Sequence, residues 1–175
     1  MSVPTAIQPL DLATYLSIGA TIIALLAVIV SSWTAWMQRQ HNKLSFRPFP
    51  EIQLRDMNGH IKISLTNNGT GPLIIKTLNV LKYKKNTAKA LIELMPAYNG
   101  WTFFAHNVDG RRIKPSGDII LLELEYDPQN TNQLNIANLI RENLRTLDIE
   151  IKYMNVYENI LPTYTKNLSW FGRLI

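Results

Sequence analysis

The chain has 175 residues, no cysteine, 18 Lys and Arg against 13 Asp and Glu, and a mean hydropathy near zero. Disulfides, thiolate metal sites and cysteine nucleophiles are thereby excluded, and a disulfide-free domain suits a reducing compartment. The hydropathy average hides a split: from Arg39 onward there are 18 cationic and 12 acidic residues, net +6, because Asp11 alone precedes the first basic residue.

The first recognisable element is an apolar run. Positions 12–38 are 27 residues without a charge, roughly 40 Å as a helix, against a hydrocarbon core of about 30 Å. Tyr15 near one end and Trp33 and Trp36 near the other suit the two interfaces. A secretory leader would need a basic start and a shorter apolar stretch, whereas residues 1–10 contain no Lys or Arg. A single transmembrane helix is therefore expected. Arg39, Lys43 and Arg47 follow it, so the positive-inside rule favours an N-terminus outside and the remainder in the cytoplasm, at the inner (plasma) membrane, with an uncleaved anchor of reverse orientation as the alternative. These three cations are expected to meet anionic lipid head groups.

One face of this helix carries only small residues. Ala13, Ser17, Ala20, Ala24, Ala27, Ser31 and Thr34 recur at alternating spacings of four and three. Small side chains let helix backbones approach closely in lipid, so the seam is expected to drive self-association into a homo-oligomer. Membrane helices are also rich in Ala and Ser for unrelated reasons, and that alternative stays open.

Pro48 and Pro50 stop the helix and turn the chain extended. Residues 51–55 and 60–66 alternate apolar and polar around Asp56-Met-Asn-Gly59, a hairpin signal. Asn67-Asn-Gly-Thr-Gly-Pro72 is a dense turn signal. Strand character resumes over 73–84. Lys114-Pro-Ser-Gly-Asp118 leads into another strand over 119–126, and 147–157 alternates again. Over 132–145, Leu134, Ala137, Ile140 and Leu144 (with Ile136 and Leu139 as a second register) predict a helix. Residues 159–166 suggest a closing hairpin, and 86–113 carry no clear period. Residues 1–11 are then a short extracytoplasmic N-terminus, 12–38 the membrane helix, 39–50 a basic juxtamembrane linker and 51–175 a mainly-β cytoplasmic domain. An antiparallel β-sandwich with one inserted helix fits this order.

The run Arg39-Gln-His-Asn-Lys-Leu-Ser-Phe-Arg-Pro48 after a membrane helix, followed by Leu65-Thr-Asn-Asn-Gly-Thr-Gly-Pro-Leu73, resembles a group of uncharacterised bacterial single-span membrane proteins. Those share a basic His-Asn-x-Leu-Ser juxtamembrane motif and an Asn-x-Gly-x-Gly-Pro turn. The likeness covers about half the chain. Asn-x-Gly before one strand and Pro-x-Gly before another also resemble bacterial immunoglobulin-like domains. The resemblance implies a fold and a topology and no activity.

No residue pattern points to bond-making chemistry. His41, His60 and His106 share no short motif with another ligand, and no nucleophile elbow, phosphate loop, dinucleotide fingerprint or zinc signature occurs. Glu123 and Glu125 fall on one strand face, where solvation explains them better than acid–base work. A protein that is not an enzyme and needs no cofactor or metal is expected. Lys82, Lys84 and Lys85 around Tyr83, and Arg111 with Arg112, are basic clusters that suit either phosphate contacts or a solvated strand edge. Trp101, near Tyr98, Phe103 and Phe104, suits a partner pocket or core packing. Trp170 and Phe171 near the C-terminus suit a docked partner, a membrane interface or packing back on the domain.

Three readings follow. In the first, the chain is a membrane-tethered module that binds a cytoplasmic protein partner through its β-domain. In the second, it is a membrane-disrupting effector of a bacterial anti-phage system, triggered through that domain. In the third, the basic clusters bind nucleic acid or a nucleotide weakly at the membrane surface.

Overall fold

The computed structural model describes residues 11–174. Residues 1–10, which hold nearly all of the expected extracytoplasmic segment, and Ile175 lie outside the described residues, as do the side chains of Lys43, Leu44, Asn86, Thr87 and Leu174. The chain divides into two units between Leu44 and Ser45.

The first unit holds helix α1, Leu12–Ser45, all but its last residue. It runs past the end of the uncharged stretch because Arg39, Gln40 and His41 tolerate helix and the first proline is Pro48. Arg39 and Lys43 thus belong to the helix, while Arg47 follows it in the second unit. The stretch Leu12–Asn42 is long and apolar enough to cross a bilayer, and none of its apolar window is buried inside the protein. Hydroxyls within it are satisfied locally: Ser17 Oγ donates to the Thr14 carbonyl at 2.9 Å, and Thr34 Oγ1 to that of Val30 at 2.9 Å. Such back-bonding removes the penalty of an unpaired hydroxyl in hydrocarbon.

In the second unit, β1 (Pro50–Met57) and β2 (His60–Asn67) form the expected hairpin across Asn58-Gly59, with Gly59 at a φ of 84°. Strand β3 (Leu73–Lys82) ends before Tyr83 and Lys84, whose φ values of 52° and 64° make the turn into β4 (Lys85–Ala88). The aperiodic stretch holds two-residue strands, β5 (Phe103–Phe104) and β6 (Arg112–Ile113), too short to leave a sequence pattern. Strand β7 (Asp118–Glu125) precedes α2 (Thr131–Leu144), then come β8 (Leu147–Met154), β9 (Tyr164–Asn167) and a 3-10 turn, Ser169–Leu174.

Two antiparallel sheets result, one in the order β1-β2-β7-β5 and one in the order β4-β3-β8-β9, with β6 also on β3. Alternate residues of each turn inward: Ile52, Ile61, Ile63, Leu65 and Leu122 from the first sheet meet Ile75, Val80, Ile149 and Ile151 from the second in one core. Helix α2 is capped by Asn130, whose side chain accepts from the Asn132 and Gln133 amides. Of its two sequence registers, Ala137, Ile140 and Leu144 go inward, whereas Leu139 is exposed. The domain is mainly β with one inserted helix, as the periodicities indicate.

The segment between α1 and β1 is built into the domain. Asn67 is fully buried and acts as its fastener. Its Oδ1 accepts from the Phe49 and Gly69 amides, each at 3.1 Å, and its Nδ2 donates to the Gly71 and Ile113 carbonyls. The Asn68 amide donates to the Phe49 carbonyl at 2.8 Å. Gly69 and Gly71 lie where this segment crosses, and a Cβ at Gly71 would collide with the Phe46 carbonyl.

Candidate functional site

Strand β1 is an edge strand, and its register decides which backbone groups face outward. The two-residue hairpin makes Met57 and His60 a hydrogen-bonded pair, so Arg55, Gln53 and Glu51 exchange ladder bonds with β2. Ile52, Leu54 and Asp56 therefore aim their N–H and C=O groups at the open side. Two bonds agree with this parity: the Ile52 amide donates to the Tyr164 hydroxyl at 3.1 Å, and the Asp56 carbonyl accepts from Arg173 at 3.3 Å. Between those two closures, the Leu54 N–H and C=O meet no partner among the described residues.

A cleft of about 910 Å³ surrounds this edge. On one side are Gln53 and Arg55 of β1 with Lys62 and Ser64 of β2; on the other are Lys166, Asn167 and Trp170. Trp170 is fixed from both sides. It meets Phe171 edge-on at 5.4 Å, and the Arg173 guanidinium stacks on its face at 3.1 Å. Charge is unevenly spread along the cleft. Glu51 and Asp118 flank Thr66 at one end, while Arg55 lies beside Lys62 at the other. Arg55 and Lys166 have no carboxylate partner among the described residues.

Next to the cleft, the outer face of the first sheet carries a charged ladder. His60 Nε2 lies 3.0 Å from Glu123 Oε1, and Lys62 Nζ lies 3.3 Å from the same oxygen. Burial opposes ionisation of Glu123, but hydrogen bonds and charge from His60 and Lys62 outweigh it and hold the carboxyl below its ordinary range. His60, Glu123 and Glu125 each offer a ligand atom within 4.8 Å of the others, so these three could hold a divalent ion. Lys62 already supplies a cation to Glu123, which makes an internal ion-pair ladder sufficient to explain the cluster. Sequence reading kept His60 apart from Glu123 because 63 residues separate them. Only the β2–β7 register, which sets His60 opposite Glu125 and Lys62 opposite Glu123, brings them together.

Beneath β1 lies a second polar group. Asp56 is buried, and Arg141 of α2 binds it through Nε at 3.1 Å and Nη2 at 2.8 Å. Arg141 also donates to the Tyr126 hydroxyl and to Asn138, each at 2.8 Å. Burial disfavours the guanidinium charge, but Asp56 and Tyr126 more than compensate and raise its pKa. Because the Asp56 carbonyl also holds Arg173, this ion pair helps position the Trp170 wall.

The residues singled out from sequence fall in separate places. Ala13, Ser17, Ala20, Ala24, Ala27, Ser31 and Thr34 are all exposed on α1. Arg39 and Arg47 are exposed, and the Lys43 side chain is outside the described residues. Lys84 and Lys85 are exposed and Lys82 half-buried at one end of β3, while Arg112 pairs with Ile74 near the other end. At about 3.3 Å per residue the two basic clusters stand roughly 25 Å apart, so they do not make one patch. Trp101 packs edge-on against Tyr98 at 6.4 Å and leans on the core. It also borders a smaller cavity of about 440 Å³ with Ile92, Met95 and Phe104.

Of the alternatives open for Trp170 and Phe171, Phe171 takes the packing back on the domain. It is fully buried against the core, and only Trp170 faces outward, because the final 3-10 turn sends successive side chains to opposite sides. Nothing in the sequence marks the cleft residues Gln53, Arg55 and Lys166, since edge position depends on strand order and leaves no local mark. No family model matches this sequence, and it has no detectable similarity to a curated protein.

Proposed function

We propose that this chain is a non-enzymatic, membrane-tethered interaction module. Helix α1 crosses the inner membrane once with the N-terminus outside, and the small-residue seam associates with a second copy. Arg39, Lys43 and Arg47 sit at the anionic inner leaflet, each contributing on the order of 1 kcal/mol. The β-domain binds a cytoplasmic protein. The observation that carries this reading is the cleft along β1, where a polar strand edge is left open between two closures.

The sandwich is of the immunoglobulin-like class. Its order β1-β2-β7-β5 over β3-β8-β9, with β4 beyond β3, follows the A-B-E-D and C-F-G arrangement of that class. Helix α2 then replaces the E–F connection. The antibody hallmarks of a cysteine pair and a strand-C tryptophan are missing, as they are from other sandwiches of this architecture.

The test uses the full chain with a C-terminal tag. It should resist extraction by alkaline wash, and the tag should survive protease added to intact cells. In mild detergent it should migrate as an oligomer that the A20L/A24L/A27L variant reduces to a monomer. Release by alkaline wash, or digestion of the tag from outside, would overturn the reading.

The uninterrupted, exposed seam on α1 favours a second reading, a membrane-disrupting effector of a bacterial anti-phage system. Depolarisation on expression, abolished by the same triple substitution, would select it. Weak nucleic-acid binding has less support, because the two basic clusters lie at opposite ends of β3.

A further inference from the structure

We infer that the β1 edge takes up an extended segment of a partner protein as an added strand, with an acidic side chain of that segment held over Arg55 and Lys166. This rests on the interaction-module reading and specifies its chemistry.

Backbone parity supplies the first argument. Strand parity turns the Ile52 C=O and the Leu54 N–H and C=O toward the cleft, with the Asp56 N–H next on the same side of β1 just past the cleft lining, spaced as a neighbouring strand requires. The Tyr164 hydroxyl occupies the Ile52 amide and Arg173 occupies the Asp56 carbonyl, so the edge is closed at both ends and open in the middle. From Ile52 to Asp56 is about 13 Å at the usual strand rise, room for a short segment and not a long one. Unpaired edge groups invite such pairing unless a fold covers them, and this fold walls them with side chains without bonding to them. Leu54, half-exposed between the closures, offers an apolar contact beside the polar edge.

Charge supplies the second. Arg55 is exposed and Lys166 half-buried, both line the cleft, and neither has a carboxylate partner among the described residues. Along β1 and β2, Glu51 and Asp118 sit at the end of the cleft away from Arg55, so the charge changes along its length and selects direction as well as charge. A second copy of β1 is a poorer occupant. In a twofold pairing centred on Leu54, Arg55 would face Gln53 of the other copy, and neither cation would gain an anion.

The probe is a fluorescent heptapeptide alternating valine and glutamate, with a lysine-for-glutamate counterpart and a version methylated on alternate backbone amides. Binding to the detergent-solubilised full chain is read by anisotropy, and Gln53→p-benzoylphenylalanine reports contacts in cells. The glutamate peptide should bind at least tenfold more tightly than the lysine peptide. Methylation of the edge-facing amides should abolish binding, and R55E/K166E should reverse the charge preference. Equal binding of the methylated peptide, indifference to charge, or no binding by any peptide overturns the inference. So does a crosslink at Gln53 only to a second copy of the chain. If the peptides fail while Gln53 crosslinks a different protein, strand addition is wrong and the module reading stands. If the peptides fail and Gln53 crosslinks nothing, both are lost.

Discussion

Arg141 and Asp56 form a bidentate ion pair sealed inside the domain, with side chains only 6% and 0% exposed. It joins α2 to the edge strand β1, and through the Asp56 carbonyl it reaches Arg173 and the stacked Trp170. Removing one partner strands the other charge in the core. D56A should therefore lower unfolding stability by about 3–5 kcal/mol, measured by denaturant titration of the full chain in detergent. D56L/R141M should recover most of that loss. A D56A cost below about 1 kcal/mol would mean that the pair is hydrated rather than sealed.

The neighbouring tail aromatics separate core from wall. F171A empties a fully buried site and should cost about 3–5 kcal/mol, while W170A removes a half-exposed ring and a cation–π stack worth about 1 kcal/mol. W170A should nevertheless weaken partner capture. Equal stability losses for the two variants would contradict their placement.

Asn67 and Gly71 tether the segment that follows α1. N67A leaves buried backbone groups without partners and should destabilise by about 1–3 kcal/mol. G71A cannot keep the Phe46 carbonyl where it is. Both variants should expose the chain between Ser45 and Pro50 to limited proteolysis, with new cleavage there and the sandwich core spared. Unchanged cleavage would argue that the turn does not fasten the segment.

Glu123 should give the domain an acid sensitivity of definite sign. Its folded carboxyl ionises below its unfolded value, so its stabilisation is complete above about pH 4.3 and is lost as pH falls through the folded value. E123Q should melt lower than wild type at neutral pH, and the difference should shrink as pH drops below about 4.3. A constant difference at every pH would show that shape, not charge, carries the effect.

Local pattern was enough for several elements. The uncharged run before Arg39 marks α1, Asn58-Gly59 marks the β1–β2 hairpin, and Ala137, Ile140 and Leu144 mark the inward face of α2. The short strands β5 and β6 were illegible because two residues cannot show a period. Helix α1 continues past the uncharged run into the basic stretch and ends at Ser45, short of Pro48, because charge ends an apolar run without ending a helix.

The sequence by itself determined a long apolar helix, an alternation of strands and one amphipathic helix, all of which follow from side-chain periodicity along neighbouring residues. Only the tertiary structure decided that β1 lies at an edge, that His60 meets Glu123, that Arg141 reaches Asp56 and that Phe171 turns inward while Trp170 does not. Each of these joins residues far apart in the chain, and such contacts depend on strand order and register, which no short window of sequence encodes.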